Sequence, residues 1–152
     1  MKEFETKCCI SGSISKYKPE IDKTIDEFLT IGIRVLAPAK GWIVVPKTTI
    51  LDGTKKFRRL PGEEKMLIRQ IEDDFLSKIS ISDFLFVENC EGYLGNSTSL
   101  EIGFAIAKGI PVFLRKKVSS LIDLDPFWKS QLDKLQISSP NEIKSLLFET
   151  GE

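Results

Sequence analysis

The chain has 152 residues, which suits one domain with a buried core that needs neither disulfides nor a metal for stability. Its 22 Lys and Arg balance its 22 Asp and Glu, so the overall charge favours neither nucleic acid nor an anionic membrane. No stretch reaches the ~18 apolar residues of a transmembrane helix. The charged N-terminus is also unlike a signal peptide, so we expect a cytoplasmic protein with no nucleic-acid or membrane partner.

Apolar runs and helical spacings alternate along the first part of the chain. A buried strand is predicted over Lys7–Ser11, closed by Gly12. A helix follows with Pro19 in its first turn and Gly32 as its C-terminal stop. Ile33–Leu36 is a second short strand. The pattern therefore begins as strand, helix, strand.

The next segment has no clear periodicity. Trp42–Val45 fits either a short strand or a buried loop. Thr48–Leu60 is polar and basic and is predicted as a long loop, a length typical of functional or mobile segments.

Regular patterns return in the second half of the chain. A helix is predicted from Glu63 to Ile79, and the strand Phe84–Val87 is apolar on both faces, as in the middle of a parallel sheet. A loop rich in Gly and Asn covers 89–96, followed by a helix over Thr98–Lys108. Pro111–Leu114 is the fourth clear strand.

The C-terminal part contains two further helical segments and a short strand. Leu121–Leu135 is predicted to be largely helical, and Leu135–Ile137 is a candidate edge strand. The last helix spans Asn141–Phe148, with Ser139 or Asn141 as its N-cap.

This alternation predicts a single α/β domain over residues 1–152, built on a doubly wound parallel sheet. Ligands of such sheets bind outside the carboxyl ends of the strands, where the strand order reverses. We expect that reversal between the strands Lys7–Ser11 and Phe84–Val87. The loops that leave these two strands, 11–14 and 89–97, should therefore meet at the ligand site.

The absence of histidine limits the chemistry of that site. It excludes Ser-His-Asp and Cys-His catalysis and the usual zinc sites, so acid–base or nucleophilic steps must use carboxylates, Lys, Tyr or Cys. Three cysteines with no paired spacing agree with a reducing compartment, and adjacent Cys8 and Cys9 should be buried on opposite faces of their strand. We expect no metal, since the usual zinc ligands are missing, and no cofactor, since no dinucleotide-binding, Walker or flavin motif is present.

The turn after the first strand is the first candidate binding element. Gly12 lets the backbone approach a ligand closely, and the hydroxyls of Ser11 and Ser13 suit a phosphate or a sugar oxygen. The alternative is that Gly12 only makes a tight strand-to-helix turn.

The second candidate is the segment around Glu101. Gly92 and Gly95 free the backbone of the loop, and Tyr93 offers a flat apolar face with a polar tip. Glu101 is either a nucleophile facing the cleft or the second half of a capping box with Thr98, which would need no ligand.

Other acidic and amide side chains are weaker candidates. Asp83 begins its strand and so lies at the wrong end for a ligand, which favours a structural role. Asn89 and Glu91 leave the correct end of that strand. The run Glu72–Asp74 is predicted as a solvated helix face, with metal binding as the alternative.

Four motifs together resemble the nucleoside 2-deoxyribosyltransferase-like family, whose relatives include 2'-deoxynucleoside 5'-phosphate N-hydrolases. The motifs are Ile10–Ile14, Ser82–Val87, Gly92–Ser97, and Glu101–Ala105 followed by Gly109–Val112. The resemblance covers about 8–114 and implies a flavodoxin-like fold assembled as a homodimer or higher homo-oligomer. The phosphate-hydrolysing relatives carry an arginine shortly after the glycine-serine turn, where this chain has Ser15-Lys16.

The same resemblance implies roles for individual residues. It makes Glu101 the nucleophile that attacks the anomeric carbon of the sugar, and it places Asp83 in the catalytic site. Gly12 and Ser13 would contact the sugar or phosphate. The full set of candidate substrate-binding residues is Ser11, Gly12, Ser13, Asn89, Gly92, Tyr93, Gly95 and Ser97.

The expected function is transfer or hydrolysis at the N-glycosidic bond of a small-molecule nucleoside or nucleotide. Tyr93 or Trp42 would stack on the base. The main alternative is a non-catalytic nucleotide-binding or sensing module of the same fold. A flavodoxin-like redox protein is a third possibility, although the sequence shows no flavin signature.

Overall fold

A computed structural model describes residues 5–41, 43–44, 58–63, 65–119 and 125–149. Its strands are β1 (Lys7–Ser11), β2 (Arg34–Ala37), β3 (Ile43–Val44), β4 (Arg58–Arg59), β5 (Phe84–Val87), β6 (Val112–Leu114) and β7 (Gln136–Ile137). Its helices are α1 (Ile14–Thr30), α2 (Ile68–Ser80), α3 (Asn96–Ala107), α4 (Pro126–Leu132) and α5 (Pro140–Glu149). Trp42, most of the predicted 48–60 loop and the start of the predicted 121–135 helix lie outside the described residues.

The main sheet has five strands in the order β2-β1-β5-β6-β7, and all of its pairings are parallel. This is the strand order of flavodoxin-like sheets, and it reverses between β1 and β5. The predicted α/β fold and its switch point are therefore confirmed. Strands β3 and β4 form a separate antiparallel pair.

The central strand β5 explains why the sheet is covered on both faces. All four of its side chains are buried. Phe84 and Phe86 pack on one face of the sheet, whereas Leu85 and Val87 pack on the other. A strand that is apolar on both faces is stable only between two layers of helices.

Each face of the sheet has its own apolar core. On the first face, α1 and α5 contribute Ile21, Ile25, Phe28 and Ile143. On the second face, α2, α3 and α4 contribute Ile79, Ile102, Ala105 and Leu132. Cys8 belongs to the first core and Cys9 to the second, so their predicted burial on opposite faces is confirmed.

Helix α1 begins earlier than the sequence predicts. It starts at Ile14, directly after Ser13, whose carbonyl accepts bonds from the backbone N–H groups of Lys16 and Tyr17. Tyr17 then has non-helical angles, φ −120° and ψ 28°. Pro19 follows this kink and so occupies the first turn of the second helical segment, where its missing N–H costs nothing.

Helix α2 begins later than predicted, at Ile68 rather than Glu63. The Glu63 carboxylate accepts a bond from the backbone N–H of Leu60 at 2.8 Å, which holds the preceding residues in a turn. The Gln70 side chain accepts from the N–H of Leu67 at 2.8 Å and caps the true start.

The C-terminal elements follow the prediction closely. Strand β7 pairs with β6 at the edge of the sheet. Ser139 caps α5, because its hydroxyl accepts from the N–H of Glu142 while the Glu142 carboxylate accepts from the N–H of Ser139. Within the described ranges, no helix is long and apolar enough to cross a membrane.

Candidate active site

A cleft of about 890 Å³ opens at the carboxyl edge of the sheet, beside the switch point. The turn after β1, the residues after β2, helix α2 and the start of α3 form its walls. The predicted binding residues Ser11, Gly12, Ser13, Tyr93, Gly95 and Ser97 line it, together with Glu101. The strand order thus brings the 11–14 turn and the 93–97 loop together, as a reversal between β1 and β5 requires.

Glu101 lies in this cleft and is almost completely buried, with 6% of its surface exposed. The Ser11 hydroxyl, at the end of β1, donates a hydrogen bond to Glu101 Oε1 at 2.8 Å. Ser11 is itself buried. Its hydroxyl therefore orients Glu101, and Ser11 also lines the cleft.

The capping-box interpretation of Glu101 is wrong. Helix α3 begins at Asn96, with Gly95 as its N-cap, and its first turn contains no acidic residue. Thr98 is therefore inside the helix, and it shares the buried face of α3 with Glu101 and Ile102. Helix capping does not explain why a carboxyl group occupies position 101.

A second carboxyl group stands beside Glu101. Glu72 of α2 lines the same cleft, and its Oε1 atom is buried without a hydrogen-bond partner among the described residues. Burial raises the pKa of Glu101 from an ordinary value near 4.5 to about 9. Hydrogen bonding and charge repulsion from Glu72 add to this rise, whereas the bond from Ser11 lowers the pKa. Near neutral pH, Glu101 is therefore protonated.

Glu72 is the site residue that the sequence prediction missed. The sequence predicts a solvated face for the whole run Glu72–Asp74, and Asp73 and Asp74 are exposed as predicted. Glu72, however, lies four residues after Ile68 and three before Phe75, on the apolar stripe of α2. That spacing was the available signal, since a lone carboxylate on an apolar helix face needs a reason to be there.

The raised pKa of Glu101 has a consequence for stability. Below pH 4.5 the folded and unfolded chains both carry the proton, so Glu101 adds no pH dependence there. Between pH 4.5 and about 9 the unfolded chain releases the proton while the folded chain keeps it, so stability falls as the pH rises.

We expect Glu101→Gln to become progressively more stable than wild type across this pH window, by a few kcal/mol at its upper end. Thermal unfolding of both proteins at a series of pH values measures the difference. A melting-temperature difference that stays constant from acid to alkali would contradict the assigned pKa.

Two helix N-termini lie at the cleft. Ser13 is the N-cap of α1 and Gly95 is the N-cap of α3, and neither end has a side-chain cap. Neither first turn carries an acidic residue. Because helix N-termini carry a partial positive charge, this wall of the cleft suits an anion or electron-rich oxygens.

Gly12 is required by packing at this wall. A Cβ atom at position 12 would lie 2.9 Å from the backbone oxygen of Glu88, closer than real contacts allow. The need for a tight strand-to-helix turn thus explains the glycine itself, and the same turn forms part of the cleft wall.

Tyr93 stands at the cleft with 40% of its surface exposed. The Lys16 ammonium lies 4.4 Å from the centre of its ring. Glu91, which pairs with Lys16 at 3.7 Å, also accepts a bond from the Tyr17 hydroxyl at 3.1 Å. The ammonium at this position therefore occupies a face of Tyr93 that a base would otherwise use for stacking. Trp42, the other predicted stacking residue, lies outside the described residues.

Three predicted site residues do not reach the cleft. Asp83 is exposed at the amino end of β5, where it accepts a bond from the Lys7 N–H at 2.8 Å. Asn89 is buried and exchanges bonds of 2.8 and 3.0 Å with the backbone of Lys116. Gly92 has φ 75° and sits against Ser119, which leaves no room for a side chain. The expectation that Asp83 shares a site with Glu101 is therefore corrected. Asp83 lies at the amino end of β5, whereas Glu101 and the cleft lie at the carboxyl edge of the sheet.

We expect Asp83→Asn to leave the chemistry of the cleft unchanged and to destabilise the fold by less than ~1.5 kcal/mol, through the weakened bond to Lys7. Denaturant unfolding and ligand turnover would be measured on the same preparation. Loss of turnover in Asp83→Asn without loss of stability would show that Asp83 does belong to the active site.

No protein-family model matches the sequence, and no curated protein matches it significantly. A solved structure described as a conserved protein from Enterococcus faecalis V583 is similar, with a TM-score of 0.54 and 15% identity. The similarity covers 93% of this chain and 96% of that one. A similarity at 15% identity bears on the fold alone, and it supports the α/β fold.

Proposed function

We propose that the cleft binds a nucleoside or nucleotide and that Glu101 attacks the anomeric carbon of its sugar, for transfer or hydrolysis of the base. The observation that carries this proposal is the buried Glu101 carboxyl group, held by Ser11 on the wall that Gly12 also forms. In a chain without histidine, a carboxylate is one of the few side chains that can act as the nucleophile in such a step.

The chemistry breaks the bond between the anomeric carbon and the base nitrogen, and the bonding electrons leave with the base. An oxocarbenium-like cation develops on the sugar. A carboxylate oxygen of Glu101 stabilises this cation and then bonds to the carbon. Water or a second base later displaces Glu101, which completes hydrolysis or transfer.

The proton held by the neighbouring carboxyl groups of Glu101 and Glu72 is the one that the leaving base takes up in this scheme. Glu101 is protonated at rest, because its pKa is about 9, but it must be ionised to attack. Glu72 is the neighbouring group that takes the proton and passes it to the leaving base. The Ser11 hydroxyl stabilises ionised Glu101, since its hydrogen bond lowers the pKa.

The walls of the cleft match the two parts of such a substrate. Ser13 and Ser97, at the starts of α1 and α3, suit the hydroxyls or the phosphate of the sugar. Leu36, Ile71 and Phe75 supply an apolar surface for the base on the α2 side.

A second candidate function is nucleotide binding without catalysis. The observation in its favour is the protonated state of Glu101 at neutral pH, because a neutral carboxyl group is a hydrogen-bond donor more than a nucleophile. In this case the protonated Glu101 would donate a hydrogen bond to an acceptor atom of the ligand, and the bond between the base and the sugar would stay intact.

Incubation with a panel of ribo- and deoxyribonucleosides and their 5'-phosphates tests both candidates. Released base is followed by chromatography, and binding is followed by calorimetry on the same ligands. Release of a base, abolished in Glu101→Gln, supports the enzyme. Saturable binding without release supports the binding module. If no member of the panel is bound or cleaved, both candidate functions are contradicted.

A further inference from the structure

A buried ion network lies across the sheet from Glu101, on the α1 side. Glu88 follows β5 and is only 2% exposed. Arg115 follows β6, and its Nε atom donates to both Glu88 carboxylate oxygens at 3.2 Å. Its Nη2 atom donates to Glu88 Oε1 at 3.0 Å. The guanidinium fork therefore fixes the direction of the Glu88 side chain.

Helix α1 completes this network. The Thr24 hydroxyl donates to the Glu88 carboxylate and accepts a bond from Arg115 Nη2 at 2.9 Å. Glu27 accepts from the same Arg115 nitrogen at 3.1 Å. One guanidinium thus ties together the ends of β5 and β6 and the middle of α1.

The backbone of Glu88 supports the cleft wall directly. Its N–H donates to the Ser11 carbonyl at 2.8 Å, and its own carbonyl packs under Gly12. The Ser11 hydroxyl in turn donates to Glu101 at 2.8 Å. A continuous chain of contacts therefore runs from Arg115 through Glu88 and Ser11 to Glu101.

We propose that Arg115 is a positioning residue of the cleft: by holding Glu88, it keeps the Ser11–Gly12 backbone where the Ser11 hydroxyl meets Glu101. Its effect on turnover rests on the proposed function, whereas its effect on the Ser11–Glu101 contact does not. A role in stability alone explains the network poorly, because apolar side chains often stabilise a buried position as well as an ion pair does.

The test compares Arg115→Met and Arg115→Lys with Ile143→Ala, a buried α5 residue of the same core that takes no part in the network. Arg115→Lys keeps the charge but loses the fork, so it remains informative if Arg115→Met does not fold. The titration of the Glu101 carboxyl is followed by carbon NMR, and base release is measured on the same proteins.

Both Arg115 variants are expected to raise the pKa of Glu101, because the bond from Ser11 that lowers it is weakened. Ser11→Ala should raise it in the same direction. Turnover by the Arg115 variants should fall on the order of 10- to 100-fold with little change in KM, as for a misplaced reacting group. Ile143→Ala should lose stability without shifting the Glu101 titration.

An unchanged Glu101 titration in both folded Arg115 variants would overturn the proposal. A shift no larger than that of Ile143→Ala would also overturn it. If the wild type releases no base from any substrate, the proposed function fails, while the titration still decides whether Arg115 positions the Ser11–Glu101 pair.

Discussion

Replacing Glu101 by glutamine should reduce base release by ~10³-fold or more, because the amide cannot bond covalently to the sugar. The substitution keeps the shape of the side chain, and its oxygen still accepts from Ser11. Ligand affinity should therefore change much less than turnover. Single-turnover release and calorimetric binding on the same substrate separate the two effects.

The matched control is Asp83→Asn, the same carboxyl-to-amide change at the opposite end of the sheet. It should retain wild-type turnover. Wild-type kcat/KM in Glu101→Gln would remove Glu101 from the reaction and would leave the binding-module account of the cleft.

Replacing Glu72 by glutamine should lower turnover by roughly 10²- to 10⁴-fold, the usual contribution of a general acid. Glutamine cannot carry the proton that the leaving base needs. The substitution also removes the charge that opposes ionisation of Glu101, so the pKa of Glu101 should fall.

The pH dependence of kcat/KM distinguishes this role from simple packing. Wild-type activity should decline as the shared proton is lost near the pKa of about 9. In Glu72→Gln that alkaline decline should disappear, and the residual activity should extend to lower pH. A Glu72→Gln profile of wild-type shape, lowered uniformly, would indicate that Glu72 only shapes the cleft.

The sheet was predictable because its strands are short apolar runs separated by helical spacings. The strand β5 is apolar on both faces, which places it at the centre of a parallel sheet. The strand order reverses between the paired central strands β1 and β5, and the ligand site of such a sheet lies at the carboxyl ends of these two strands. The position of the cleft, with Gly12 and Glu101 both on its walls, follows from that order.

The details that the sequence concealed depend on side-chain direction and on competing local bonds. Glu72 was hidden by its acidic neighbours, although its helical phase matched the apolar stripe of α2. Asn89 looked like a ligand residue because it leaves the correct end of β5, but its amide satisfies the backbone of Lys116. Periodicity carries no information about such a specific bond across 27 residues.

The central claim is most directly tested by mass spectrometry of wild type that is quenched during reaction with a substrate found in the panel and then digested into peptides. A mass increase equal to the sugar, or sugar phosphate, should appear on the peptide containing Glu101 and should be absent from Glu101→Gln. Continued release of base with no adduct at any quench time, together with an active Glu101→Gln, would contradict the account.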